Sequence, residues 1–169
     1  FTSLGTAHQE NFPSLEAKCL EKLKLFHDTQ AIVYSEDDQV LNDCISAKNY
    51  KGECLNWSAK DVHAAFFIKS IEKKDIETTV SYVWKEKVEG QYKLPFIDDA
   101  SVENSITCAV VSLHLGIDPA HLAERMAKLE PVAMRLEVKE GQHGCTLIND
   151  SYNSDYNSLD IALDFMNRR

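Results

Sequence analysis

The segment around His8 is the first of three polar clusters whose side chains could take part in chemistry. Residues 5–11 follow Phe1–Leu4, a stretch that is typical of the end of a buried strand. Ligands in open α/β sheets bind beyond the carboxyl ends of the strands. His8 is therefore placed to ligate a metal or to polarise a substrate, and a solvent-exposed loop histidine is the alternative that this cluster leaves open.

The second cluster lies on a predicted helix and centres on Lys22. This lysine sits between Cys19, Leu23 and Phe26, at the border of the apolar face of the helix. Partial burial would disfavour its charged form, and a neutral lysine can take up carbon dioxide to become a carbamate, which binds metal through oxygen. The alternative is a surface lysine that lays its aliphatic stem over the core.

The third cluster, residues 148–157, lies between a predicted strand and a predicted helix. It contains Asp150, Tyr152 and Asn153 among many other hydrogen-bonding side chains. Such a loop can hold a ribose, a phosphate or a peptide. It can equally be a polar turn that caps the last helix, and the residues alone leave both interpretations open.

Two isolated residues carry weaker signals. Asn104 falls in the first turn of a predicted helix, where it can pair with an adenine edge or serve as a local cap. Arg135 leads a predicted strand, so it can reach a phosphate or a surface carboxylate. The other five histidines show no mutual spacing that would indicate a metal site.

The elements that position these clusters follow two patterns. Strand-like and helical stretches alternate up to about residue 47, which indicates a parallel sheet with helices on its faces. Extended stretches then follow closely and predict an antiparallel meander; they are residues 53–57, 62–71, 77–84 and 87–95. Next come two predicted helices, two short strands and a final helix, which are residues 101–115, 119–129, 135–139, 145–148 and 159–166. The predicted fold is α/β, a mostly parallel sheet flanked by helices with an attached meander.

Composition and charge narrow the class of protein. The chain has 169 residues, 44% hydrophobic and 27% charged, as expected for a globular protein of one domain or one domain and part of another. A net charge of -9 argues against nucleic-acid binding, which needs a basic surface. No apolar run approaches the roughly 18–20 residues that cross a bilayer, and no signal peptide is visible. These features predict a cytoplasmic location without membrane insertion, and the five cysteines, which form no C-x-x-C pair, predict reduced thiols.

Taken in order, the clusters resemble motifs of the Mur ligases, most closely those of the MurF type. Residues 2–14 are similar to the family motif T-N-I-G-x-A-H-x-E-x-F-x-S, in which the histidine, here His8, binds magnesium. The family carries a carbamylated lysine on the following helix that helps to hold the same ion. Lys22, fourteen residues after His8, falls at the matching place, although Leu23 and Lys24 replace the usual Gly-Glu.

Two further motifs concern the nucleotide. Asn104 matches the second asparagine of the family's H-N-x-x-N-A-x-x-A, which contacts adenine, while Ala100 and Ser101 replace its first two residues. Residues 130–138 are similar to E-P-V-x-G-R-L-E-V, and its arginine, here Arg135, is expected near the nucleotide phosphates.

The last polar loop resembles D-S-Y-N-A-N-P-x-S. The resemblance places Asp150 near the ribose of ATP and makes Tyr152 and Asn153 candidate substrate-binding residues. Ser-Asp-Tyr replaces the Ala-Asn-Pro of the motif at residues 154–156, a departure similar to forms fused to an alanine racemase.

The resemblance implies an incomplete central domain of a Mur ligase. Residues 1–130 would be part of the ATP-binding domain, and residues 131–169 would begin the C-terminal domain. The family's phosphate loop, G-x-x-G-K-T, lies upstream of the matching strand and does not occur in this chain, so we expect the chain alone to be inactive.

The implied reaction is ATP-dependent ligation in peptidoglycan synthesis, and so in cell-wall biogenesis, cell shape and cell division. The implied cofactors are ATP and Mg²⁺. The implied substrates are a UDP-N-acetylmuramoyl peptide and D-alanyl-D-alanine, joined through an acyl phosphate. The alternatives are another Mur ligase step, the addition of diaminopimelate or lysine, and a non-catalytic nucleotide- or peptide-binding module of the same fold.

Overall fold

A computed structural model of the chain describes residues 1–5, 9–74, 76–130, 136–152 and 156–167. The chain forms two compact units, Phe1–Ala127 and Lys128–Arg169. The helices of the first unit are α1 (Leu15–Leu23), α2 (Gln39–Lys48), α3 (Asp99–His114) and α4 (Pro119–Met126). Its strands are β1 (Ala31–Ser35), β2 (Glu53–Ser58), β3 (Phe66–Lys74), β4 (Glu77–Trp84) and β5 (Val88–Leu94). Within the described ranges, no helix combines the length and the apolar character needed to cross a membrane.

The five strands form one mixed sheet in the order β1-β2-β3-β4-β5. The β1–β2 and β2–β3 pairs are parallel, whereas the β3–β4 and β4–β5 pairs are antiparallel. The predicted α/β class is confirmed. The prediction that residues 53–57 belong to the meander is wrong, because β2 runs parallel to both of its neighbours and the meander contains only β3, β4 and β5.

Two predicted strands have different bounds in the structure. β3 begins at Phe66 rather than at residue 62, because Asp61 accepts the amide of His63 through its side chain at 2.9 Å and the amide of Ala64 through its carbonyl at 3.2 Å, which makes a turn. Phe1–Leu4 forms no strand; the Phe1 nitrogen donates to the Val33 carbonyl at 2.7 Å beside β1.

Side-chain caps start the helices of the first unit. Ser14 accepts the amide of Ala17 at 3.1 Å and starts α1, and Asp118 starts α4 with Pro119 at the first helical position, as predicted. Asp38 and Asp98 cap α2 and α3 in the same way. α3 therefore begins two residues earlier than residue 101, where the sequence pattern placed it.

Two hydrophobic clusters lie on opposite faces of β1, because successive side chains of a strand point to opposite faces. We call the larger one the main core; it is formed by β2–β5, α3 and α4, with Ala31 and Val33 against it. The smaller one, the α1–α2 cluster, consists of Cys19, Leu23, Ile32, Tyr34, Leu41, Cys44 and Ile45. Helices thus cover both faces of the parallel edge of the sheet.

The second unit contains a two-stranded antiparallel sheet, β6 (Glu137–Glu140) and β7 (Thr146–Asn149), and helix α5 (Tyr156–Asn167). The two predicted strands and the predicted final helix are therefore present. None of the described residues of this unit is buried. Several apolar side chains of α5 are exposed, among them Leu159, Leu163 and Met166.

Candidate functional site

The segment around His8 is described up to Gly5 and again from Gln9, and His8 itself lies outside the described residues. A single 3₁₀ turn, Gln9–Asn11, follows the gap. The Nε2 of Gln9 donates to the Phe12 carbonyl at 3.5 Å, and its Oε1 is a buried acceptor with no hydrogen-bond partner among the described residues. An amide oxygen beside His8 therefore remains available to a donor or a cation.

Lys22 is exposed, which agrees with the surface lysine and not with the partly buried one, the two interpretations that the sequence left open. Its Nζ lies 5.7 Å from the centroid of the Phe1 ring, a cation–π contact at the protein surface. The neighbouring Cys19 and Leu23 are buried as predicted, so Lys22 does stand at the border of the apolar face.

The buried lysine of α1 is Lys18, which the sequence interpretation missed. Its side chain is 3% exposed, and its Nζ donates to the Gly5 carbonyl at 2.6 Å. A signal was present, because Lys18 precedes the apolar Cys19 just as Lys22 precedes Leu23. The two lysines therefore share one border of the helix, one turn apart.

Asn104 lies on the exposed side of α3. Asp98 caps this helix by accepting the amide of Ser101 at 2.8 Å, so the alternative that Asn104 is the local cap is wrong. The buried stripe of α3, which includes Val102 and Ser105, leaves the Asn104 amide facing solvent. Its donor and acceptor are free to contact a ligand, since no hydrogen bond joins them to a residue that the structure describes.

Asp150 is half-buried in the second unit, and its Oδ1 accepts the amide of Leu136 at 3.1 Å. This bond, together with the Glu137–Asn149 pair of the β6–β7 sheet, brings the last polar loop beside the residue that follows Arg135 in the chain. Arg135 and Asn153 lie outside the described residues. Tyr152 is described and is 56% exposed.

A cavity of about 410 Å³ opens in the first unit, beyond the carboxyl ends of β1 and β2. Sequence reasoning did not find it, because its wall joins distant segments. Its lining combines apolar side chains with three hydroxyls and four carboxylates: Thr2, Ser3, Ser35, Asp37, Asp38, Leu41, Trp57, Ala59, Ile68, Ile71, Asp99, Val102, Glu103 and Ile106.

Three of the four carboxylates that line the cavity have structural partners. Asp37 accepts the Ser58 hydroxyl at 2.6 Å and the Ala59 amide at 2.8 Å, Asp38 caps α2, and Asp99 pairs with Lys73. The fourth, Glu103, has its pKa raised by burial and by the nearby Asp99 and Asp38 carboxylates. The negative lining is unsuited to bare phosphates, so a nucleotide here would need cations.

The described residues can be tested for their fit to Mg²⁺. No three His, Cys, Asp or Glu side chains among them come together as a metal-binding group. Mg²⁺ prefers oxygen ligands, and the unpaired Oε1 of Gln9 beside His8 is of that type. The donor chemistry fits Mg²⁺ if Lys22 is a carbamate, and it does not fit with Lys22 as an ammonium, which would repel the ion.

The first unit is an α/β domain with a mixed sheet and a cavity beyond the carboxyl ends of β1 and β2, where proteins of this class bind ligands. Comparison with known proteins identifies the family. The chain belongs to the Mur ligase family, since the model of the Mur ligase middle domain matches residues 1–112. A curated relative is the UDP-N-acetylmuramoyl-tripeptide–D-alanyl-D-alanine ligase of Bacillus subtilis strain 168. It is 22% identical over 167 residues, which are 96% of this chain and 34% of the relative. The chain thus spans about a third of that relative's length.

Solved structures show the same fold. The crystal structure of MurF from Acinetobacter baumannii matches with a TM-score of 0.82 at 17% identity, over 99% of this chain and 36% of that one. MurF from Thermotoga maritima in complex with ADP matches with a TM-score of 0.70 at 19% identity, over 98% and 38%. MurC, the UDP-N-acetylmuramate–alanine ligase of Thermotoga maritima, matches with a TM-score of 0.73 at 17% identity, over 96% and 36%.

Proposed function

We propose that the protein containing this chain is a MurF-type ligase, which joins D-alanyl-D-alanine to a UDP-N-acetylmuramoyl peptide at the expense of ATP. The family match over residues 1–112 carries this proposal. Two further observations support the particular step: the curated relative that spans nearly the whole chain has this activity in its name, and a MurF structure of the same fold holds ADP. Residues 1–130 would belong to the ATP-binding domain, and residues 131–169 would begin the C-terminal domain.

The reaction would proceed in two displacements. An oxygen of the peptide's terminal carboxylate attacks the γ-phosphorus of ATP, and ADP leaves. The amine of D-alanyl-D-alanine then attacks the carbonyl carbon of the acyl phosphate, inorganic phosphate leaves, and a peptide bond remains. Negative charge is concentrated in both transition states, so cationic groups should supply most of the stabilisation.

His8 and a carbamylated Lys22 would hold Mg²⁺, which supplies Lewis-acid stabilisation of phosphate charge when it is bound. The exposed position of Lys22 leaves its amine accessible to dissolved carbon dioxide. Asn104 would contact adenine through its free amide, Arg135 would contact the phosphates, and Asp150 would lie near the ribose.

Tyr152 and Asn153 would contact the peptide substrate. Asp150 already uses one oxygen to accept the Leu136 amide, so its second oxygen would be the one that meets the ribose. We place the protein in the cytoplasm, in cell-wall biogenesis and hence in cell shape and division. We expect no nucleic-acid partner, because the chain carries a net charge of -9.

The test measures phosphate release and peptide product from the complete protein with ATP, Mg²⁺, a UDP-N-acetylmuramoyl peptide and D-alanyl-D-alanine. We expect His8→Ala and Lys22→Ala to lower kcat by at least about 100-fold, the scale of losing one charge-stabilising group. A small carboxylic acid such as acetate should partly restore Lys22→Ala, since a carboxylate can replace the carbamate. Lys24→Ala is the matched control, because Lys24 is also exposed at the end of α1 and pairs with Glu21 at 2.5 Å.

Undiminished turnover in both variants would refute the assignment of the metal residues. Replacing D-alanyl-D-alanine by diaminopimelate or lysine decides the step, and product formed only with one of those amino acids would contradict the MurF assignment. If the complete protein binds nucleotide but forms no peptide bond with any of the three, it is a binding module. The 169-residue chain alone is expected to be inactive, because it has no G-x-x-G-K-T loop to hold phosphates.

A further inference from the structure

The cavity beyond the carboxyl ends of β1 and β2 contains polar groups that the fold leaves without partners. Its volume of about 410 Å³ is within the range of small-molecule pockets. Three of its four carboxylates are engaged, by the Ser58 hydroxyl, by the amino end of α2 and by Lys73. The fourth belongs to Glu103, and no hydrogen bond or ion pair joins its carboxylate to a residue that the structure describes. Glu103 is therefore an acceptor that a ligand can use.

A second polar group without a partner is the indole N–H of Trp57. The Trp57 side chain forms part of the cavity lining and is 5% exposed. Its Nε1 is buried and has no hydrogen-bond partner among the described residues. A buried donor that is left unpaired lowers stability, so such a group in a native protein calls for an explanation. A ligand acceptor in the cavity would supply the missing partner.

The rest of the lining is largely apolar. Ile68 and Ile71 come from β3, whereas Val102 and Ile106 come from α3, the helix that also carries Glu103. The sheet and the helix thus both present apolar side chains to the cavity. Pockets of this kind, in which apolar walls surround a few polar groups, bind small organic molecules and use the polar groups to orient them.

The lining also restricts the kind of ligand that fits. No lysine or arginine lines the cavity among the residues that the structure describes, so the phosphates of a nucleotide would lie outside it. A simple ammonium ion could pair with Glu103, but it has no acceptor for the Trp57 N–H. A planar heteroaromatic ring with an exocyclic amine supplies apolar faces, a donor and an acceptor together.

We propose that this cavity binds the base of ATP and that Glu103 determines its specificity: the exocyclic amine of adenine donates to the Glu103 carboxylate, and a ring nitrogen accepts from the Nε1 of Trp57. The inference rests on the proposed function, in which ATP is the nucleotide and Asn104, the next residue, contacts adenine. Burial, with Asp99 and Asp38, raises the pKa of the Glu103 carboxyl, and an N–H donor from the base would stabilise its ionised form.

The test compares two ligands of the complete protein by isothermal titration calorimetry. One is ADP, and the other is purine riboside 5′-diphosphate, which lacks the exocyclic amine. We expect the parent to bind ADP about tenfold or more tightly than the analogue, the scale of a hydrogen bond to a charged group. Glu103→Ala should bind ADP as weakly as the analogue, whereas Glu103→Gln should keep most of the preference, since its side-chain carbonyl still accepts.

Two further variants isolate the contacts. Asp99→Ala is the matched control, because it removes a carboxylate from the same lining and should leave the ratio of the two affinities within about threefold of the parent's. Trp57→Phe keeps an aromatic ring and removes the donor. It should weaken ADP and the analogue by the same factor, since both ligands have the ring nitrogens.

The outcomes separate this inference from the proposed function. Equal affinity of the parent for ADP and the analogue would refute the role of Glu103 without any variant, and peptide-bond formation by the same protein would leave the proposed function intact. Loss of the preference in Asp99→Ala would also refute it, because the effect would then be one of general charge. Unchanged affinities in Trp57→Phe would refute the proposed orientation of the base. If the parent binds neither diphosphate and forms no peptide bond, both proposals are overturned.

Discussion

The two hydrophobic clusters on either side of β1 differ in what they enclose. The main core is filled by large apolar side chains, and the Phe66 and Tyr82 rings stack in it with centroids 4.5 Å apart. The α1–α2 cluster is smaller, contains two thiols, and adjoins the buried Lys18. Lys22, one of the proposed metal residues, lies on α1 at the border of this second cluster. A region can accept a costly buried lysine when a larger core elsewhere stabilises the fold.

The thiols of the α1–α2 cluster behave as small apolar groups. Burial, together with the neighbouring Cys44 thiol, raises the pKa of Cys19 to about 12. A thiol that stays protonated is a poor nucleophile and a poor metal ligand. All five cysteines are free, as the scattered spacing predicted, so this cluster is held by packing rather than by a disulfide.

The largest expected effect tests the difference in packing between the two clusters. Phe66→Ala removes a fully buried ring from the main core and should lower the free energy of unfolding by about 3–5 kcal/mol. Leu23→Ala in the α1–α2 cluster should cost about 2 kcal/mol, because leucine loses fewer buried atoms than phenylalanine does and the cluster itself is smaller. Urea denaturation of both variants gives the ranking, and a larger cost for Leu23→Ala would reverse the comparison.

A second prediction concerns the close approach of Gly90 to the Tyr82 ring of the main core. A Cβ on Gly90 would lie 2.5 Å from both Cζ and the hydroxyl oxygen of Tyr82, so Gly90→Ala should destabilise by about 1–3 kcal/mol through overpacking. Denaturation of Gly90→Ala with and without Tyr82→Leu checks the cause. The double variant should recover part of the loss, and additive losses would show that the ring is not responsible.

The third prediction concerns the buried Lys18 of α1 and its contribution to stability. Lys18→Met replaces a buried ammonium with an apolar side chain of similar length, and the exposed Gly5 carbonyl can bind water instead. The free energy of unfolding should be unchanged or higher by about 1 kcal/mol. Thermal and urea unfolding measure it, and a loss above about 2 kcal/mol would mean that Lys18 is a structural element of the cluster.

The smallest effect concerns Glu103 at the cavity. Burial first, and then Asp99 and Asp38, raise the pKa of its carboxyl, so the folded protein binds this proton more tightly than the unfolded chain does. Its ionisation therefore costs stability above the raised pKa, and the cost disappears as the pH falls through that value.

Glu103→Gln should stabilise the protein at about pH 7.5 by no more than about 0.5 kcal/mol, since solvent screens an exposed group. The gain should vanish near about pH 4. Unfolding curves at both pH values measure it. Glu89→Gln, another exposed carboxylate, which pairs with Lys69 at 3.1 Å, is the control and should show no such gain. An equal gain at both pH values would exclude titration as the cause.

Local patterns predicted the elements that depend on neighbouring residues. The caps at Ser14 and Asp118 and the apolar stripe of α1 follow from side-chain chemistry within a few positions. Local patterns did not predict where β3 begins or that β2 pairs in parallel with β3. The first depends on a turn at Asp61, and the second depends on pairing between strands that are distant in sequence. Local patterns also did not predict that Lys18 is buried and Lys22 exposed. Each of these lysines precedes an apolar residue on the same face of α1, so the sequence does not distinguish them.

The sequence by itself determined the α/β class, the family motifs in their order, and the helix on which the proposed metal lysine lies. These features are local, because periodicity, capping and motif spacing are properties of short segments. Only the tertiary structure decided that Lys18 is buried and bound to Gly5 while Lys22 faces solvent beside Phe1. Burial depends on which distant segment crosses a given helix turn: Gly5 contacts Lys18 on one turn, whereas Phe1 lies beside Lys22 on the next turn without burying it.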